Sequence, residues 1–439
     1  MTLTLPSRLS AAAEAARPER VGSVASIVGL AVQITGLPAR IGDVVALGDA
    51  DRSRAEIVAV ARDSVTAMAL ERLDGITAGS SARLERGQAG IPVGAELLGR
   101  VIDAMGRPVD GRGPLSTRRT VPVENEAPAA MSRTRIDTAL SLGVRVLDTL
   151  TAAGRGQRLG LFAGSGVGKS SLMSMIARGS HADVAVIALV GERGREVREF
   201  LEEDLGKAGL ARSVVVVSTA DEPPLMRVRA AFAATRIAEA YRDEGKNVLL
   251  MMDSLTRVAM AQREIGLSAG EPPATRGYPP SVFSLLARLL ERAGTGPTGS
   301  VTGIYTVLVD GDDHNEPVAD AVRGILDGHV VLDRKLAVGG HFPAIDPLAS
   351  VSRVASKVTT KQQQSLSLAL RRVLAAKRSA QDLLDVGAYA RGSNPLVDAA
   401  VDFEAQILAF LRQDIDEPCD AAEAWQRLGQ LVTTLGGTR

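Results

Sequence analysis

The stretch from Leu159 to Leu172, LGLFAGSGVGKSSL, determines the architecture expected of this chain. Its first five residues are typical of a buried strand, and the apolar spacing of SSLMSMIAR after the glycines is typical of a helix. Glycines at such a junction let backbone N–H groups crowd around a phosphate chain at the helix N-terminus. The stretch therefore predicts a phosphate-binding loop. The residues of this loop are Gly164, Ser165, Gly166, Val167, Gly168, Lys169, Ser170 and Ser171.

Two side chains of the loop carry specific chemistry. Lys169 supplies a positive charge for the β- and γ-phosphates of a nucleoside triphosphate, and the Ser170 hydroxyl is placed to bind Mg²⁺. The usual pattern begins with glycine, whereas this chain has Ala163, which ends the strand and tolerates a Cβ there. The predicted ligands are therefore ATP and Mg²⁺.

Short β-branched runs alternate with helical patterns between Gln157 and Arg353. This alternation predicts an α/β fold in which helices flank a parallel sheet. The expected strands are Leu159–Ala163, Val184–Val190, Val214–Ser218, Val248–Asp253 and Ile304–Val309. The expected helices include Glu196–Leu205, Leu225–Tyr241 and Val282–Arg292.

Changes in pattern divide the chain into four segments. Residues 21–88 show short apolar alternations broken by Gly, Pro and Asp, which predict a small β-barrel. Residues 89–358 are the predicted P-loop domain, which opens with a turn-rich connection ending in DGRGP. The β pattern disappears after Thr359, so residues 359–439 are predicted to form a helical domain. The spacing in residues 1–20 indicates either a partner-binding helix or a frayed terminus.

A second motif, GERGRE at 191–196, ends the next predicted strand. A carboxylate that emerges from a strand beside a phosphate site can polarise an attacking water, so Glu192 is the predicted general base. On composition alone, the same residue is a helix-start acid paired with an arginine on a solvated surface. The neighbouring phosphate loop favours the catalytic interpretation.

The apolar run VLLMMD ends in Asp253, where a buried charge is costly unless it meets a cation. An aspartate after an apolar strand is by itself usually a helix cap. With a phosphate loop upstream, Asp253 is instead predicted to hold the water shell of Mg²⁺. Arg257, one turn into the following helix, is predicted to reach the γ-phosphate.

The overall composition argues against several other classes of protein. Lys plus Arg and Asp plus Glu both number 51, so the net charge is zero and gives no field for coating nucleic acid. Aromatic residues make up only 3%, which leaves few platforms for stacking bases. The single cysteine, Cys419, has no intrachain disulfide partner, and a reducing cytoplasm suits such a chain.

Together, the loop, the GER glutamate and the strand-end aspartate resemble the catalytic subunits of rotary ATP synthases and the ring ATPases of type III protein export. The resemblance runs from about Val21 to the C-terminus. It implies a RecA-like P-loop core with a parallel sheet, between a small β-barrel domain and an α-helical domain. The family roles correspond here to Lys169, Ser170, Glu192, Arg193, Asp253 and Arg257.

A further motif, GHFPAIDPLASVSR at 340–353, resembles the adenine-site and arginine-finger region of the same family. The resemblance places Phe342 against adenine and makes Arg353 the finger that a neighbouring subunit inserts beside the γ-phosphate. Without it, Phe342 is simply a core residue and Arg353 a surface cation. A chain that carries both the phosphate loop and the finger is expected to form a homohexamer.

Within the family, FAGSGVGKS, GAYARGSNPLVDAAV and FLRQDIDEP resemble the flagellar export ATPases. The implied function is Mg²⁺-dependent ATP hydrolysis that energises flagellar type III export, by releasing chaperones and delivering substrates. The implied partners are a regulator on the N-terminal segment, a coiled-coil stalk protein, the membrane export gate, and export substrates with their chaperones. The implied location is the cytoplasmic face of the inner-membrane export apparatus.

Four alternatives remain open from the sequence. They are an injectisome secretion ATPase, a rotary synthase catalytic subunit, a nucleic-acid translocase, and a scaffold that binds nucleotide without hydrolysing it. Neutral charge and scarce aromatics oppose the translocase, and Glu192 opposes the scaffold.

Overall fold

The computed structural model describes residues 20–49, 53–85, 90–117, 119–309 and 316–436. The chain separates into two compact units. The described part of the first is residues 20–49 and 53–85 with Pro223–Leu225 and Glu264–Pro272, and the second holds the other described residues from Gly90 onward. The segment predicted to bind a regulator lies outside the described residues, except for Arg20.

The first unit contains a closed antiparallel barrel with the strand order β1-β2-β5-β4-β3-β6. Buried residues alternate with more exposed ones along the first, second and fourth strands, as the pleat requires, and Val32, Ile34 and Ile57 are fully buried in the barrel core. Its strands are β1 (Val21–Val28), β2 (Ala31–Thr35), β3 (Val44–Leu47), β4 (Ser53–Val60), β5 (Ser64–Ala69) and β6 (Ser81–Leu84).

The second unit is built on a sheet with the order β19-β18-β12-β17-β15-β13-β14-β8. Its inner strands are parallel, whereas β19 and the short β16 pair antiparallel at β18 and β17. Its strands are β8 (Val101–Asp103), β12 (Arg158–Ala163), β13 (Val184–Glu192), β14 (Ser213–Thr219), β15 (Asn247–Asp253), β16 (Gly294–Thr295), β17 (Ser300–Leu308), β18 (Gly328–Val331) and β19 (Val351–Ser352). Two small ladders pair β7 (Ile91–Pro92) with β9 (Thr120–Val121), and β10 (Ala139–Leu140) with β11 (Ala153–Gly154).

Helices alternate with these strands, as the sequence predicts. They are α1 (Arg145–Leu150), α2 (Lys169–Gly179), α3 (Gly194–Glu199), α4 (Gly206–Ala211), α5 (Pro224–Asp243), α6 (Leu255–Ser268), α7 (Pro280–Glu291), α8 (Pro317–Ile325), α9 (Arg334–Val338) and α10 (Ala355–Val358). A π-helical segment, Phe200–Leu205, joins α3 to α4. Single 3₁₀ turns lie at Ala95–Leu97, Ala130–Ser132 and Thr275–Gly277.

The C-terminal part is helical. Its first helix begins at a capping box, in which the Thr360 hydroxyl accepts the Gln363 N–H and the Gln363 amide oxygen accepts the Thr360 N–H. Its helices are α11 (Lys361–Ser379), α12 (Gln381–Asp385), α13 (Pro395–Asp402), α14 (Glu404–Leu411) and α15 (Ala421–Thr434). Leu370, Phe410 and Leu428 share one buried core with the P-loop sheet.

The fold class predicted from the sequence is confirmed: a barrel precedes a parallel α/β sheet, and helices follow it. The division at 358/359 stays a prediction, because the helices and the sheet belong to one compact unit. No helix among the described residues combines the length and the apolar character needed to cross a membrane.

Candidate active site

The phosphate loop connects the end of β12 to the start of α2, where a parallel strand delivers the chain to a helix N-terminus. Gly166 and Gly168 have φ angles of 74° and 89°, in the left-handed region that favours glycine. Val167 is buried beneath the loop, whereas Ser165 and Ser170 are exposed. The loop therefore presents its backbone and its hydroxyls to the surface and anchors itself through one apolar side chain.

Three parallel strands bring the predicted ionic side chains together. Lys169 begins α2 after β12, Glu192 ends β13 and Asp253 ends β15. Lys169 Nζ lies 2.5 Å from Asp253 Oδ1 and 3.7 Å from Glu192 Oε1. These three side chains are mostly buried, with 13%, 7% and 15% of the Lys169, Asp253 and Glu192 side chains exposed. The predicted cation and both predicted carboxylates thus form one cluster.

Thr306 donates a second hydrogen bond to Asp253. Strand β17 lies between β12 and β15, and the Thr306 hydroxyl donates to Asp253 Oδ1 at 2.7 Å. The same oxygen accepts the Lys169 ammonium, so the carboxylate is held by two donors. This bonding fixes the orientation of Asp253 before any ligand arrives.

Burial makes Glu192 an effective proton acceptor near neutral pH. Loss of solvent raises the pKa of Glu192 to about 7, and the charge of Asp253 adds to the rise while Lys169 opposes it. Glu196 contributes as well, because it shares a hydrogen bond with Glu192 that lowers the pKa of Glu196 and raises that of Glu192. A carboxylate of this kind accepts a proton more readily than an exposed glutamate.

The donor set fits Mg²⁺. No group of three or more His, Cys, Asp or Glu side chains within the described ranges forms a metal cage. Magnesium normally keeps several waters and takes only one or two protein ligands beside substrate phosphates. The exposed Ser170 hydroxyl and the Asp253 carboxylate match that requirement, and they lie at the start of α2 and beside Lys169.

Two arginines flank the cluster. Gly191, with φ 72°, leaves room for Arg257, because a Cβ at position 191 would lie 2.9 Å from Arg257 Cβ. Arg257 Nε is buried and has no hydrogen-bond acceptor. Arg193 is exposed, and its guanidinium donates to Glu196 Oε1 at 3.1 Å.

Phe342 lies next to the phosphate loop. A Cβ at Gly168 would approach the Phe342 ring to 3.4 Å, and Phe342 as a whole is 48% exposed. A half-exposed aromatic ring beside the start of α2 offers a surface on which a base can stack.

Arg353 lies at the opposite end of the sheet. Its backbone N–H donates to Asp327 O at 2.9 Å, and Asp327 Oδ2 accepts the Arg158 N–H at 3.0 Å, at the start of β12. The phosphate loop follows the other end of β12, about 17 Å away at 3.3 Å per residue. Arg353 is exposed and forms no ion pair with another described residue. Its side chain is too short to reach the phosphate loop of its own subunit.

Sequence reasoning missed two residues that shape the site. Glu196 is visible in the GERGRE motif, four residues after Glu192, and that spacing was a usable signal. Thr306 gave no such signal, since its contact with Asp253 depends on the register of β17 against β15.

The same organisation is found in known proteins. The profile of the ATP synthase alpha/beta family, nucleotide-binding domain, matches residues 143–352, and that of the T3SS EscN ATPase C-terminal domain matches residues 359–430. The Flagellum-specific ATP synthase of Bacillus subtilis is 50% identical over 418 residues, covering 94% of this chain and 95% of that protein. The Type 3 secretion system ATPase of Xanthomonas euvesicatoria is 46% identical over 419 residues, covering 95% and 94%.

Solved structures agree. The assembled ATPase EscN from the type III secretion system of enteropathogenic E. coli superposes with a TM-score of 0.89 at 42% identity, covering 94% of this chain and 100% of that one. EscN in complex with its central stalk EscO gives a TM-score of 0.87 at 42% identity, with the same coverage. The chain therefore belongs to the ATP synthase alpha/beta family, within the group of flagellum-specific and type 3 secretion ATPases, and is a P-loop enzyme that hydrolyses ATP.

Proposed function

We propose that this chain is the ring ATPase that energises flagellar type III protein export, and that Glu192 is its general base. The observation that carries the catalytic part of the proposal is the cluster of Lys169, Asp253 and Glu192 at the carboxyl ends of parallel strands. Phosphoryl transfer to water needs a positioned base and a fixed cation more than covalent chemistry. The cluster supplies both within one pocket.

Each group of the site has a separate proposed role in ATP hydrolysis. The backbone N–H groups of residues 164–168 hold the phosphates. When they bind, the Lys169 ammonium exchanges its partner Asp253 for the β- and γ-phosphate oxygens. Ser170 and Asp253 would hold Mg²⁺, which neutralises charge on those oxygens when it is bound. Glu192 accepts a proton from the attacking water, and its pKa of about 7 suits that role.

Three further residues complete the proposed site. Arg257, whose buried Nε has no hydrogen-bond acceptor, would bind the charge that develops on the γ-phosphate, and Arg193 contributes a contact from the exposed start of α3. Phe342 stacks on the adenine base beside Gly168. These roles rest on the positions of the residues and on the family resemblance.

The position of Arg353 supports a homohexameric ring. Because Arg353 lies at the amino end of the sheet, it can act only on a phosphate loop that another copy presents. Every chain carries both the loop and the finger, so each interface of a homohexamer has a complete set of groups. The related EscN has been solved as an assembled ATPase, which favours the same arrangement here.

The remaining partners follow from the relatives. EscN binds a central stalk, EscO, so a coiled-coil stalk protein is the proposed occupant of the ring pore. A regulator on residues 1–20, the membrane export gate, and export substrates with chaperones at the helical domain complete the proposal. The ring would then work at the cytoplasmic face of the inner membrane.

The flagellar assignment is preferred over the injectisome because two flagellum-specific relatives reach 50% identity, whereas the type 3 secretion relatives reach 46%, as do other flagellum-specific relatives at 45–46%. The test is to express the chain in two hosts, one lacking its flagellum-specific ATPase and one lacking its secretion ATPase. The proposal predicts restored motility in the first host, dependent on Glu192, and no restored secretion in the second. Restored secretion alone would assign the chain to injectisomes.

A further inference from the structure

The segment that joins α14 to α15, residues 412–420, makes an unexpected connection to the base side of the site. The backbone N–H of Gln413 donates to the carbonyl oxygen of Phe342 at 3.1 Å. The residue proposed to stack on adenine is thus bonded through its own backbone to the helical part of the chain. We name residues 412–420 the hinge segment.

Gln413 is fixed on every side. It is only 4% exposed, and its amide oxygen accepts the Arg145 N–H at 2.8 Å. Its amide nitrogen donates to Gly143 O at 2.9 Å and to Glu417 O at 3.0 Å. The amide oxygen thus accepts one hydrogen bond, and both amide hydrogens are donated. Because these three bonds hold the side chain, they also restrict the position of the Gln413 backbone.

The hinge segment is also tied to both ends of the helix that follows the phosphate loop. Phe342 contacts the start of α2 at Gly168, and Gly143 packs against its end, where a Cβ would lie 2.6 Å from Gly179 Cα. Arg178, in the last turn of α2, donates to Asp416 Oδ1 at 2.7 Å and to Ile415 O at 2.6 Å. Gln413 therefore bonds directly to the Phe342 backbone, whereas its link to α2 runs through Gly143 to the end of the helix away from Lys169 and Ser170.

We propose that Gln413 is a positioning residue that sets how tightly the site binds the base of the nucleotide, without contributing to its grip on the phosphates. The inference rests on the proposed role of Phe342 and extends it. Fixing the carbonyl of Phe342 holds the ring over the base position, which lowers the entropic cost of stacking. The phosphates bind to residues 164–170, which Gln413 does not touch.

The test compares two ligands that occupy different parts of the nucleotide site. ADP uses both the phosphate loop and the base surface, whereas pyrophosphate uses the phosphate loop alone. Calorimetric titration of the full chain with each ligand should show that Gln413→Met weakens ADP about tenfold, the equivalent of about 1.4 kcal/mol. Pyrophosphate affinity should stay within about twofold, and kcat at saturating ATP should be retained. Equal weakening of both ligands, or no change in either, overturns the proposal.

Controls separate this inference from the proposed function. Asp420 lies in the same hinge segment and caps α15, where its carboxylate accepts the Ala422 N–H at 2.8 Å. Asp420→Ala removes this cap and should change the affinity for neither ADP nor pyrophosphate. Phe342→Ala should itself lose ADP affinity selectively; if it does not, the base site is wrong. A selective loss in Phe342→Ala with none in Gln413→Met rejects only the role of Gln413. If Gln413→Met does not fold, Gln413→Asn replaces it with the same expectation, because it keeps an uncharged amide but is one methylene shorter and cannot reach all three partners.

Discussion

Lys169 Nζ lies 2.5 Å from Asp253 Oδ1, so the cation that should grip phosphate is already held by the carboxylate that should face Mg²⁺. The two charges compensate each other in a pocket where either one alone would be costly. A nucleotide must take the ammonium away from Asp253, and the carboxylate is then available to the metal. Phosphate binding and metal binding are therefore expected to be coupled at this pair.

The first prediction concerns that exchange. Replacing Asp253 with Asn removes the competing charge, so Lys169 should bind phosphate more freely. Metal-free ADP, titrated in the presence of a chelator, should bind about tenfold more tightly, since a charge-assisted hydrogen bond no longer has to be broken. Mg²⁺-dependent turnover should fall at the same time. Weaker metal-free binding by Asp253→Asn would contradict the coupling.

The second prediction concerns pH. The pKa of Glu192 is raised to about 7, chiefly by burial, and a general base must be unprotonated to act. The value of kcat/KM for ATP, which reports the free enzyme, should therefore rise with pH through about 7 and level off above it. A profile that stays flat from pH 6 to about 8 would show that Glu192 is not the titrating base.

The third prediction concerns Arg353. If the finger acts on a neighbouring subunit, Arg353→Ala and Glu192→Gln each inactivate every interface of a uniform ring, with losses of about 10³ in kcat. Mixed rings contain some interfaces that combine an intact Glu192 with an intact Arg353. Mixing the two inactive proteins should therefore restore measurable hydrolysis. No recovery, in mixtures shown by native mass spectrometry to co-assemble, would contradict the action of Arg353 on a neighbouring subunit.

The fourth prediction concerns stability. Buried Arg145 donates to three carbonyls at the end of α14, those of Ala409, Phe410 and Arg412, and pairs with Glu417. Arg145→Met should lower the free energy of unfolding by about 2–4 kcal/mol, because these carbonyls lose their donor. Urea unfolding measures the change. Arg427→Met, which removes an exposed arginine that also pairs with Glu417, is the matched control and should cost less than about 0.5 kcal/mol.

The sequence was sufficient to bring Lys169, Glu192 and Asp253 together, for a simple reason. The carboxyl ends of parallel strands meet at one edge of a sheet, so residues that end such strands become neighbours without any knowledge of contacts. The strands themselves agree closely: Leu159–Ala163 was expected, and β12 covers Arg158–Ala163.

Other features required coordinates. The helix expected at Glu196–Leu205 is instead α3 followed by a π segment, in which Phe200 and Leu205 are both buried. The apolar spacing in the sequence predicts a helix but does not show where its hydrogen bonds change from the α pattern to the wider π pattern. Likewise, no local pattern shows that Arg353 lies at the amino end of the sheet, since this follows from the antiparallel pairing of β19 with β18.

The decisive experiment is a comparison of nucleotide binding and steady-state turnover in Glu192→Gln. The substitution keeps the size of the side chain and removes its negative charge, and with it the ability to take a proton. Glu192→Gln should bind ATP and Mg²⁺ at least as tightly as the unmodified chain and hydrolyse ATP about 10³-fold more slowly. Undiminished turnover in this variant would contradict the assignment of Glu192 as the base.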